Sequence, residues 1–110
     1  MFDHMKLNNV KIKLTTEDIL AGERNNQSKC PVSLALKRIL SNSYWVGGWY
    51  GMRYVKNENL LYKEVIMFPK LVQDWIETYD KNDKYTELIE FNISSTIELL
   101  SYKPRRFHIK

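Results

Sequence analysis

The chain has 110 residues, of which 13% are aromatic and 27% charged, with a formal net charge of +4 and a single cysteine. That length points to one domain with a modest core, and the apolar content argues against wholesale disorder. No apolar run approaches the roughly 20 residues that cross a bilayer, the N-terminus "MFDHMKLNN" lacks a signal-peptide h-region, and one cysteine excludes an internal disulfide and suits a reducing compartment, so a soluble cytoplasmic protein is expected.

Val10, Ile12 and Leu14 alternate with Lys11 and Lys13, which predicts a half-buried strand. "TTEDILAGE" follows as a short helix: Thr15 or Thr16 can cap it, Glu17 and Asp18 fall in the first turn, and Gly22 stops it. After a polar loop, "CPVSLALKRIL" is the clearest helix. Pro31 suits its first position, and Val32, Ala35, Leu36, Ile39 and Leu40 share one face.

"YWVGGWYGMRY" (44–54) holds five of the 14 aromatic residues and three of the four glycines. It reads as one bent or bulged strand; a two-residue turn at Gly47-Gly48 would leave a very short first strand. "KNEN" is then a turn and "LLYKEVIMF" the second strand of a hairpin. Pro69 opens a helix whose apolar face is Leu71, Val72, Trp75, Ile76 and Tyr79, with Phe68 placed to staple onto Val72. Ile89, Phe91 and Ile93 form a last strand. Ser95 and Glu98 have capping-box spacing, which predicts a short closing helix. The order β-α-α-β-β-α-β, with that C-terminal helix, makes a small α+β domain over residues 1–102 with a largely antiparallel sheet packed by helices.

Residues 103–110, "KPRRFHIK", form a basic tail. Removing its Lys103, Arg105, Arg106 and Lys110 from the 17 basic residues leaves 13 against 13 acidic ones. The basicity therefore belongs to the tail, which argues against a nucleic-acid binder that acts through its whole fold and leaves a basic arm as the nucleic-acid contact.

The pieces "TTEDILAGE", "CPVSLALKRIL", "FPKLVQDWIETYD" and "IEFNI" together resemble a family of small uncharacterised bacteriophage and bacterial proteins. That family's pattern is a strand, "TxExIxxG", "CP[IV][AS]LAL" and "LPxxVxx[FW]Ixx[FY]D". Phe68 stands where its leucine precedes the proline, and the aromatic hairpin and basic tail lie outside the pattern. The family carries no assigned activity. The resemblance implies a compact fold, a phage or bacterial setting and a bacterial host cytoplasm.

No P-loop, dinucleotide fingerprint or nucleophile elbow is present. His4 and His108 with Cys30 make no metal-ligand spacing, so no metal, cofactor or catalytic residue is predicted. Cys30 at a helix N-terminus has two readings, a reactive thiol or a small buried core residue. Asp74, Glu77, Asp80 and Asp83 read as a solvated helix face before a carboxylate site.

On a single strand, Trp45, Gly47, Trp49, Gly51 and Arg53 share one face, and Tyr44, Val46, Tyr50, Met52 and Tyr54 share the other. The second set is expected to pack inward. The first would be either core or a flat aromatic platform ending in a cation. The sequence thus predicts a non-enzymatic protein that binds a host protein through Trp45, Trp49 and Arg53, with interference with host defence as the role the resemblance suggests. The alternatives are a single-stranded nucleic-acid binder using that strand and Lys103, Arg105 and Arg106, a small enzyme with an unrecognised site, and, for the Trp face, burial in a homodimer.

Overall fold

A computed structural model describes residues 6–82 and 84–102, with 101 and 102 as backbone. His4, Asp83, His108 and the tail residues Lys103, Arg105 and Arg106 lie outside it. The fold is α+β, and the described residues form three helices and six strands in two antiparallel sheets. Strand β1 (Val10–Lys13) pairs with β5 (Glu90–Ile93), placing Ile12 opposite Phe91. The larger sheet has the order β2-β3-β4-β6, from Trp45–Val46, Tyr50–Asn57, Leu60–Met67 and Ser95–Tyr102.

The helices form where local signals place them. In α1 (Thr16–Ala21) the Thr15 side chain accepts from the Asp18 amide and Asp18 reaches back to the Thr15 amide, so two orphan donors are satisfied reciprocally. Gly22 ends α1 at φ −76°, ordinary for any residue. It is needed for space instead, because a Cβ there would meet Pro31 Cγ at 2.6 Å. Pro31 opens α2 (Pro31–Leu40), whose Val32, Ala35 and Leu36 are buried and whose Leu40 packs half-buried against the core, while Ile39 emerges toward solvent.

Helix α3 (Lys70–Lys81) buries Val72, Trp75, Ile76 and Tyr79, while Leu71, expected on that face, is exposed. The Trp75 ring stacks on Tyr79 with centroids 5.0 Å apart, and its Nε1–H donates to the Glu87 carbonyl at 2.7 Å. Arg24 donates to the Tyr79 carbonyl and lies over the Tyr79 ring, fastening the 23–29 loop to this helix.

Two expectations fail. The closing helix does not form: Ser95–Tyr102 is strand β6, paired with β4 from Ile66↔Ser95 to Leu60↔Tyr102 around a bulge at Leu61/Tyr62. Ser95 does not cap. Its Oγ accepts from the Leu7 amide and its N–H donates to the Leu7 carbonyl, at the point where the chain passes from one sheet to the other. A capping signal is local, and the ladder along β4 outweighs it.

Nor is the aromatic stretch a single strand. Gly47 N–H donates to the Tyr50 carbonyl at 2.7 Å and the chain reverses through Gly48 and Trp49, putting Trp45 opposite Met52 and Val46 opposite Gly51. The short first strand of this hairpin is β2, two residues long.

Trp75→Ala is expected to cost about 3–5 kcal/mol, read as a lower midpoint in urea unfolding.

Candidate binding face

The reversal changes which residues share a face. Partners in an antiparallel ladder point to the same side. Val46, Gly51, Arg53, Tyr62, Glu64 and Ile66 therefore face inward, and Trp45, Tyr50, Met52, Tyr54, Lys63, Val65 and Met67 face outward. Tyr44 and Val46 are buried as expected. Tyr50, Met52 and Tyr54 point to the other side of the sheet; Met52 is nonetheless buried at 8% exposure and Tyr50 half-buried, whereas Tyr54 is 60% exposed. Trp45 is 62% exposed on the outer face, and Trp49 is 55% exposed at the turn rather than beside Trp45 on one strand. Met67, 56% exposed, extends the outer face.

The glycines make room for rings. A Cβ on Gly47 would meet Tyr50 Cε1 at 2.9 Å, so the Tyr50 ring lies against it and also against Trp49, at 4.7 Å between centroids. A Cβ on Gly51 would sit 3.2 Å from Phe68 Cζ on the inner side. None of the glycines has positive φ.

Arg53 departs from the expected platform. It turns inward, and its Nε donates to Glu64 Oε1 at 2.6 Å, with Glu64 fully buried. Tyr44 donates its hydroxyl to the same oxygen at 2.8 Å, and the guanidinium lies 5.5 Å from the Tyr44 ring centroid. Burial, then the bond to Glu64, pushes the Tyr44 phenol up to about 12. Sequence reasoning passed over Glu64, although a signal was present: it shares the alternation of Tyr62 and Ile66, an apolar series in which a charge must find a partner.

The other candidates resolve as structural groups. Cys30 is buried, its Sγ accepts from the Ser33 amide, and desolvation pushes its thiol up to about 11, which is the unreactive reading. Asp74 pairs with Lys70 and Glu77 with Lys81 at helical spacing, and Asp80 accepts from the Asn25 amide. Among the described residues no group of His, Cys, Asp and Glu could hold a metal, and no helix is long and apolar enough to cross a membrane.

A cleft of about 460 Å³ lies at the end of β2, lined by Ser43, Tyr44, Trp45, Met52, Arg53 and Tyr54. Trp49 lines a different cleft of about 440 Å³, against Gln73 and Glu77 of α3. Trp45 also lines a cleft of about 470 Å³ that shares Asn25, Gly48, Ile76 and Asp80 with the Trp49 cleft, so the two tryptophans border adjoining depressions. No family model, curated protein or solved structure matches the chain.

Glu64→Leu, which strands Arg53, is expected to cost about 3–5 kcal/mol, and the double variant with Arg53→Met should recover most of it; chemical denaturation of the three proteins checks this. Cys30 and Tyr44 both have folded pKa values above their ordinary ones. Their stabilising contribution is therefore complete below the ordinary values and is lost as pH rises through about 11 for Cys30 and about 12 for Tyr44. Iodoacetamide at pH 8 should label Cys30 far more slowly in the native protein than in urea, and Cys30→Ala should flatten the fall in stability above pH 9.

Proposed function

We propose that this is a non-enzymatic binding protein that acts by occupying a surface of a partner protein with the outer face of its larger sheet. One observation carries the reading. Trp45, Tyr54 and Met67 are each more than half exposed on that face, with Trp49 equally open at the adjoining turn. Large apolar side chains grouped this way are costly to leave in water and mark interaction sites. Exposed aromatic residues with Met67, and Lys56 and Lys63 beside them, match the composition of protein interfaces. The α3 carboxylates are engaged with Lys70, Lys81 and the Asn25 amide, and Cys30 is buried, which supports binding over catalysis.

The resemblance supplies the setting: a phage or mobile-element protein in a bacterial cytoplasm, with a host protein as target and inhibition of host defence as its effect. A second reading has the same aromatics stacking bases of a single strand, with Lys103, Arg105 and Arg106 as clamp. The exposed Met67 and the half-buried Val65 on the face favour protein over nucleic acid.

Replacing Trp45 and Trp49 together by alanine should leave the circular dichroism melt close to that of the parent, because neither side chain is core. It should weaken capture of a stoichiometric, nuclease-resistant host protein by about 2 kcal/mol or more, as for a hot-spot pair. A melt far below the parent's would place the tryptophans in the fold rather than the binding surface.

A further inference from the structure

Strand β2 ends early for a visible reason. The Tyr44 carbonyl accepts from Ser33 Oγ at 2.8 Å, drawing the chain away toward α2, while the Val46 amide is taken by the Gln27 carbonyl. Beyond Met52, the edge of β3 from Arg53 to Asn57 therefore has no strand beside it among the described residues.

Which amides this leaves open follows from alternation. Trp49 uses its carbonyl toward the β4 side, accepting from Phe68 N–H, and Tyr50 uses its carbonyl toward β2, accepting from Gly47 N–H. Along an antiparallel strand the direction alternates. Gly51, Arg53, Val55 and Asn57 thus bond to β4, and Tyr54 and Lys56 point their N–H and C=O groups outward at the open edge. Natural edges are commonly covered or blunted. This one carries Lys56 but no proline and, among the described residues, no covering segment, and it runs into the cleft bordered by Tyr44, Trp45 and Tyr54.

We propose that the partner contributes an extended peptide segment that adds to β3 as a new strand, continuing the line that β2 abandons. This rests on the protein-binding reading above and specifies its partner. Main-chain bonds to Tyr54 and Lys56 supply the register, and alternate side chains supply selectivity. One apolar side chain of the segment enters the cleft between Trp45 and Tyr54. The segment is acidic, because Lys56 stands exposed at this edge with no carboxylate in Arg53–Asn57, while Arg53 is engaged by Glu64 and Lys63, opposite Tyr54, has Glu98 of β6 on its other side. Arg53, held at Nε by Glu64, still has 20% of its side chain exposed at that edge.

The probe is a capped eight-residue peptide alternating glutamate and valine around one tryptophan, with a lysine-for-glutamate version as control. Amide exchange followed by NMR should slow at Tyr54 and Lys56 on adding the acidic peptide and stay unchanged at Val55, which is already bonded to β4. Lys56→Pro removes only an outward N–H, so the fold should survive and affinity fall by about tenfold or more. Lys56→Glu, which keeps the amide, should weaken the acidic peptide and improve the lysine one.

Absence of peptide binding, binding without protection at Tyr54 and Lys56, or equal affinity for the Lys56 variants each overturns the proposal. So does protection of those amides that rises with protein concentration alone, which would assign the edge to a second copy, or displacement of the peptide by oligothymidylate, which would assign it to nucleic acid. A host partner that needs Trp45 and Trp49 but binds Lys56→Pro normally leaves the sheet-face reading standing and removes strand addition. Peptide docking at the edge with no partner dependent on the two tryptophans does the reverse.

Discussion

The hydrogen bond from Gly47 N–H to the Tyr50 carbonyl decides how this surface is built. It closes the reversal through Gly48 and Trp49, and the reversal sets the side to which every later side chain of β3 points. With it, Trp45 shares a face with Met52 and Tyr54, and Arg53 goes to the interior. A continuous strand would have put Arg53 beside Trp45 and Tyr54 in the core. Because side chains alternate with a period of two, one misplaced turn inverts the whole assignment.

The interior consequence is the grouping of Tyr44, Arg53 and Glu64. A carboxylate with no exposure would be costly alone, and here it accepts from a guanidinium and a phenol on one oxygen. The other oxygen, Oε2, is buried with no hydrogen-bond partner among the described residues. A group in that position fits only one registration of β3 on β4, since a slip would leave both Arg53 and Glu64 without their partners. We regard the pair as a device for register first and for stability second.

The exterior consequence is an aromatic face beside an open edge. Both stem from the brevity of β2: a longer strand there would cover the amides of Tyr54 and Lys56. Ser33 on α2, through its bond to the Tyr44 carbonyl, thus links helix packing to the accessibility of the β3 edge. The same helix sets Pro31 against Gly22 at the end of α1, and its Pro31, Val32, Ser33, Ala35 and Leu36 are buried, so the element that holds the edge open belongs to the well-buried part of the fold.

The sequence by itself determined the elements whose signals are local. Thr15 or Thr16 before Glu17 and Asp18 marks the start of α1, Pro31 and the 3.6-residue spacing define α2, the same spacing defines the buried side of α3 apart from the exposed Leu71, and the 56–59 turn defines the β3–β4 hairpin. Only the tertiary structure decided the rest. The turn at Gly48-Trp49 uses no positive φ, so its glycines carried no turn-specific signature, and their neighbours' rings account for two of the three. Ser95–Tyr102 looked like a helix start because capping residues are read locally, whereas its partner β4 lies some 30 positions earlier in the chain, as Ile66↔Ser95 illustrates. Exposure of Trp45 and Tyr54 and burial of Glu64 depend on such distant pairings. Periodicity reports that a segment has two faces; which face meets the core is settled by the strands beside it.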